Sequence, residues 1–162
     1  MIVYHGSVLE ISRPDTEHST RNLDFGKAFY VTTNEEQAKR WALRKADLLN
    51  SESAIVSVYM LSEKQNDFAV LDLSNDIEEW IDFVCDCRNG NNCYEKYDII
   101  KGKVADDKVY RVVDMYRNGI WDKDRAIKEM KIYETYDQIA FVSQKVIDLL
   151  LKFEKSYEVT DG

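Results

Sequence analysis

Asp24-Phe25-Gly26-Lys27-Ala28-Phe29-Tyr30-Val31-Thr32-Thr33 opens with a glycine turn and passes into an apolar, aromatic, β-prone run. It leads straight into Asn34-Glu35-Glu36, a capping side chain followed by two acids that suit the positive end of a helix. A strand, one tyrosine and the beginning of a helix therefore adjoin one another. Around this stretch, strands and helices are mixed in order, without the regular strand–helix–strand alternation of a doubly wound sheet. The fold class is accordingly α+β.

On the amino-terminal side, Ile2 to Ser7 reads as a short strand in which Gly6-Ser7 lets the backbone turn or approach a ligand closely. Residues 10–22 carry the single proline, Pro14, and several charges, and read as a loop. On the carboxyl-terminal side, Ala38, Trp41, Ala42, Ala46 and Leu49 share one helical face, with Asn34 as N-cap and Asn50-Ser51 as the end. Residues 54–61 are too apolar for an exposed edge and predict a central strand. Residues 68–73 predict another. Asn75-Asp76 caps a helix with Ile77, Trp80, Ile81 and Val84 on one face, which dissolves into the loop 88–92.

Residues 97–104 are strand-like, and Asp106-Asp107 opens a helix carrying Val109, Val112, Val113 and Tyr116, closed by Asn118-Gly119. A short charged helix over 123–131 follows, then a strand over 138–143. Ser143 caps a turn of helix through Val146 and Ile147, before a last extended run toward Val159. With no internal repeat, low-complexity tract or linker, residues 1–162 read as one domain.

The 162 residues are 44% hydrophobic and 12% aromatic, an ordinary globular composition. Thirty acidic against 22 basic residues give a formal charge of −8, which disfavours broad binding to nucleic-acid phosphates and leaves room for a local basic patch. Met1-Ile2-Val3 begins a strand with no charged leader, and no apolar run reaches the length of a bilayer span. Three cysteines, an odd number, fit a reducing compartment better than a disulfide framework. A cytoplasmic protein without membrane association is expected.

Three constellations call for a chemical reading. Asp24-Phe25-Gly26 is spelled like the metal-binding motif of protein kinases, but no Gly-rich phosphate loop, strand lysine or His-Arg-Asp loop precedes it. It is read as a turn. Cys85, Cys87 and Cys93 have spacings unlike a structural zinc site and are read as free thiols; no metal is expected. His5 directly precedes Gly6-Ser7, where a backbone without a Cβ can offer N–H and C=O to a planar amide. Trp41 can wall a slot for a flat ring, with Tyr30 as the opposite wall.

Tyr4-His5-Gly6-Ser7, then Phe25-Gly26-Lys27-Ala28-Phe29-Tyr30, then Ala38-x-x-Trp41, in that order, resembles the NAD-binding core of the ADP-ribosyltransferases of the diphtheria-toxin and poly(ADP-ribose)-polymerase type. More narrowly, His-Gly-Ser, Asp-Phe-Gly-x-x-Phe-Tyr-x-Thr and Gln-Ala-x-x-Trp-Ala resemble a bacterial family of that superfamily catalogued as a domain of unknown function, whose members look like small toxins encoded beside antitoxin-like partners. Tyr136-Asp137-Gln138-Ile139-Ala140-Phe141 stands in the place of the third signature strand. The resemblance implies two packed, mainly antiparallel sheets that form an NAD cleft with flanking helices.

Carried over by residue, the resemblance has His5 bonding the adenosine ribose and Gly6 gripping the nicotinamide carboxamide, with Ser7 adding a hydroxyl. Tyr30 would stack on the nicotinamide ring, and Trp41 would close its other side. Phe25 and Gly26 would shape the entry to Tyr30. Arg21, chosen by charge, would meet the diphosphate. Gln138 falls where many relatives have a catalytic glutamate, so the implied catalytic set is His5, Tyr30 and Gln138. An amide can orient ribose hydroxyls but carries no charge to stabilise a developing oxocarbenium, which speaks against polymer synthesis. Glu134, four residues earlier, is the alternative source of a carboxylate.

The expected activity is transfer of one ADP-ribose from NAD, a co-substrate, to a macromolecular acceptor, with a small protein antitoxin as partner. Two rivals stand beside it. Water as acceptor would make the protein an NAD glycohydrolase. A chain that binds NAD, ADP-ribose or a protein without turnover is the other. The acceptor is open between protein and nucleic acid, and the loops 10–22 and 87–93 are expected to select it.

Overall fold

The structure is a computed structural model that describes residues 1–18, 23–105 and 107–160. In chain order its elements are β1 (Ile2–Ser7), β2 (Phe29–Val31), α1 (Glu35–Leu49), β3 (Ile55–Leu61), β4 (Val70–Asp72), α2 (Ile77–Arg88), β5 (Ile99–Lys103), α3 (Asp107–Arg117), α4 (Lys123–Met130), β6 (Asp137–Phe141), α5 (Gln144–Leu150) and β7 (Leu151–Glu158). The class is α+β, with a three-stranded sheet in the order β1-β3-β7 and a four-stranded sheet in the order β2-β6-β5-β4. No helix among the described residues is long and apolar enough to cross a membrane.

The first sheet is antiparallel throughout, with β3, buried from Val56 to Tyr59, as its middle strand. Val159 N–H extends the pairing of β7 by bonding Ala54 C=O at 2.7 Å. The second sheet is antiparallel except at β4, which pairs parallel to β5 through Val70↔Ile99 and Asp72↔Lys101. That pair is one strand–helix–strand unit in an order that otherwise lacks their regular alternation. The helix α2, capped by Asp76 on the N–H of Glu79 at 3.0 Å, buries Trp80, Ile81 and Val84 and returns the chain to the same edge. A helical crossover of this kind is what a parallel pair requires. The strand expected over 68–73 shrinks to Val70–Asp72.

Alternation along the strands sorts the core into layers. Val3, Tyr59 and Leu61 of the first sheet meet Phe29, Val31, Ile139 and Phe141 of the second. Helix α1 covers the outer face of the first sheet with Ala38, Ala42 and Ala46 against Val56 and Val58. Helices α2, α3 and α4 cover the second with Trp80, Val109, Val113 and Met130 against Ile100 and Ala140.

Asn34 Oδ1 accepts from the N–H of Gln37 at 2.9 Å, a cap worth about 1 kcal/mol. The helix ends on Asn50 in the left-handed conformation, with φ of 51°. Leu49, read as part of the buried face, is instead exposed beside that cap, where α1 has run past the sheet.

The small alanines let α1 lie close to β1, and Gly6 makes the approach possible. A Cβ at Gly6 would sit 2.1 Å from Ala38 O and 2.7 Å from Ala42 N. The cysteines are free thiols, Cys85 and Cys87 both buried and Cys87 Sγ 3.8 Å from Cys93 Sγ; burial pushes Cys85 up to about 11.

Candidate functional site

Among the described residues, one backbone bridge joins the two sheets, between β1 and the residue after β2. Tyr4 N–H bonds Thr32 C=O, and Thr32 N–H bonds Tyr4 C=O, each at 2.9 Å. In an antiparallel strand the N–H and C=O of a residue leave on one edge, and the residue two along repeats that edge. Gly6 therefore presents its backbone groups on the edge used by Tyr4, beyond the end of the bridge. Here a cleft of about 300 Å³ opens, lined by His5 and Gly6, by Ala28 to Tyr30, by Trp41 on α1, and by Asp24, Arg88 and Gln138 at one end.

His5 stacks on Phe29 with ring centroids 4.5 Å apart, and its Nδ1 lies 2.6 Å from Tyr30 C=O. A carbonyl only accepts, so Nδ1 carries the proton, and in the neutral ring Nε2 is an acceptor. Tyr30 is held at both ends of its polar tip: its hydroxyl donates to Gly26 C=O at 2.5 Å and accepts from Phe25 N–H at 3.0 Å. The Asp24-Phe25-Gly26 turn, closed by Gly26 N–H on Leu23 C=O at 3.1 Å with φ of 81° at Gly26, thus fixes the tyrosine ring from below.

Burial, and after it the negative charge of Asp24, push the Tyr30 pKa well above the ordinary value. The folded protein favours the neutral phenol. Its contribution is therefore complete below the unfolded pKa, about 10, and is lost as pH rises beyond it. Tyr30→Phe should cost about 1–3 kcal/mol by orphaning the Phe25 N–H and Gly26 C=O. It should also flatten the fall in stability above that pH. Urea unfolding across an alkaline series checks both.

Of the residues singled out in the sequence, His5, Gly6, Tyr30, Trp41 and Gln138 line this one cleft, although Gln138 is far from the others in the chain. Ser7 is buried and does not line it; Phe25 belongs to the core against α2; Gly26 lies under the Tyr94 ring. Glu134 is exposed and also off the cleft, so it brings no carboxylate there. Arg21 lies outside the described residues.

Two groups went unread. The first is the cationic side of α1: Arg44, Lys45 and Leu48 follow Trp41 at the spacing of one helical stripe and line the cleft with it. Among the described residues of the lining, Arg44, Lys45 and Arg88 set three cations against the one carboxylate of Asp24, in a chain of net charge −8. Burial lowers the Lys45 pKa.

The second group centres on Asp24, at the head of the Asp24-Phe25-Gly26 turn. It is 5% exposed. Its Oδ1 accepts from Arg88, with Nε at 2.8 Å, and its Oδ2 accepts from Ala105 N–H at 2.8 Å and from Gln138 Nε2 at 3.0 Å. Arg88 in turn lies over the Tyr110 ring, 4.3 Å from its centroid. Nothing local in Asp24-Phe25-Gly26 announces partners from α2, β6 and the segment after β5.

Residues 1–153 match the model of a family described as a protein of unknown function (DUF3990). No curated protein and no solved structure matches the chain.

Proposed function

The chain belongs to the DUF3990 family, and from that premise and its cleft we propose that it is an NAD-dependent mono-ADP-ribosyltransferase with an ADP-ribosyltransferase-like fold. The observation that carries the reading is the convergence of His5, Tyr30 and Gln138, with Gly6 and Trp41, on one cleft. The resemblance to ADP-ribosyltransferases assigns those residues to NAD. The cationic lining supports it as well, since a dinucleotide brings a diphosphate to a surface whose average charge would repel it.

The residues fit the group. Gly6 offers an N–H and a C=O on one strand edge, the complement of a carboxamide. Tyr30 and Trp41 supply flat apolar surface for the nicotinamide ring. His5 brings its ring to the same cleft, and Arg44 and Lys45 suit the diphosphate.

NAD supplies an activated glycosidic bond: C1′–N breaks with both electrons leaving on the nicotinamide nitrogen, and the acceptor bonds C1′ and releases its proton. The protein's part is to hold the two sides of that bond in a fixed bent geometry and to limit water around them. A toxin role with a small protein antitoxin is the biology proposed with it, and it rests on the resemblance alone.

Incubation of the protein with labelled NAD and a cell lysate tests the reading. Labelled macromolecule, sensitive either to protease or to nuclease, is the expected product. Free ADP-ribose alone would replace transfer with hydrolysis, and no nicotinamide release at all would end the enzyme reading. Trp41→Ala should weaken NAD binding about tenfold, the worth of one aromatic face, with the fold intact because Trp41 stands at the margin of the α1 core. Calorimetric titration with NAD measures it.

A further inference from the structure

We propose that Asp24 is a positioning residue that locks the amide of Gln138 so that it presents only its carbonyl oxygen to the cleft, as one oxygen of a carboxylate would. The inference rests on the reading of the cleft as a site for a ribose-bearing donor, and it addresses the departure from glutamate that the resemblance leaves unexplained.

Gln138 is 4% exposed, and its Nε2 donates to Asp24 Oδ2 at 3.0 Å and to Lys103 C=O at 3.1 Å. Both partners accept and cannot donate. An amide turned the other way would press Oε1 against a carboxylate and a carbonyl, so one orientation is chemically allowed. Both amide hydrogens are then used, and Oε1 is the polar atom that Gln138 has left for the cleft it lines.

Asp24 is itself held by Arg88 and by the N–H of Ala105. The result is an acceptor of fixed direction and no net charge, suited to taking hydrogen bonds from vicinal ribose hydroxyls. The negative charge sits one bond farther back, on Asp24, balanced by Arg88.

This arrangement predicts that glutamate, the residue of many relatives, does not fit here. Gln138→Glu sets a second carboxylate within hydrogen-bond reach of Asp24, and two such groups share one proton instead of ionising together. The other polar or ionisable neighbours are Arg88, Tyr30 and Cys87 around Asp24, and Lys103, whose Nζ is turned to Thr135. With its proton, the new carboxyl can donate to Asp24 as the amide did. Moving the charge by Asp24→Asn together with Gln138→Glu keeps one carboxylate and one amide in the pair.

The test is urea unfolding of the wild type, Asp24→Asn, Gln138→Glu and the double variant at pH 8 and pH 5, followed by NAD titration and nicotinamide release. Gln138→Glu should lose at least about tenfold in its folding equilibrium constant at pH 8 and regain most of it at pH 5. The double variant should be more stable at pH 8 than the sum of the single changes, again by about tenfold or more.

In catalysis, Asp24→Asn should lower the rate of nicotinamide release more than it changes KM, because it frees the Gln138 amide to turn. Additive single changes with no pH dependence would overturn the lock. Because the coupling is read from unfolding, a failure of the wild type to bind NAD would fall on the proposed function and leave the lock standing.

Discussion

Gly6→Ala should destabilise the protein by about 3 kcal/mol or more, at the upper end of what overpacking costs, and abolish ligand binding in the cleft. The new methyl would stand 2.1 Å from Ala38 O, 2.7 Å from Ala42 N and 3.0 Å from Trp41 Cβ. The two nearest obstacles are helix backbone, which cannot rotate aside as a side chain can. To admit the methyl, α1 must move off β1, separating the alanine face from Val56 and Val58 and shifting Trp41, Arg44 and Lys45 together. Urea unfolding should give a lower midpoint at unchanged m-value.

Gly119→Ala is the control. Its φ is +74° and no atom lies within 4 Å of its Cβ, so that change carries conformational strain alone, about 1 kcal/mol. Equal effects at the two glycines would show that α1 is not seated on β1 as described.

Asp24→Ala should cost about 3–5 kcal/mol, the usual penalty for breaking a buried ion pair by removing one partner. The loss has three parts: the Arg88 guanidinium, with its side chain 18% exposed, is left without its counter-charge, and the N–H groups of Ala105 and Gln138 lose their acceptor. Arg88→Ala should also be costly, because it strands the carboxylate and removes the stack on Tyr110. The double variant should cost clearly less than the two single changes added, since neither charge is then left alone. Denaturant unfolding of the four proteins checks this. Additivity would mean that the Asp24–Arg88 contact contributes nothing as a pair.

The element types, their order and most of their ends are written in local patterns. The alanine stripe and Asn34 define α1, the Asp76 cap and the Ile77, Trp80, Ile81, Val84 face define α2, and the apolar run of β3 identifies a middle strand. These features act between residues a few positions apart, which is why a linear reading recovers them. That His5, Gly6, Tyr30, Trp41 and Gln138 belong beside one cleft was also legible, from their residue types and spacings.

The parallel pairing of β4, the exposure of Leu49 and the burial of Asp24 were not. Asp24 lies 64 residues from Arg88 and 114 from Gln138. Whether a carboxylate at a glycine turn faces water or becomes the anchor of a cleft depends on which strands and helices are folded against that turn. The types and periods of residues along the chain are enough to choose helix or strand. The partner of a buried charge, and with it the direction in which the Gln138 amide points, is set when the two sheets and the α2 helix close around it.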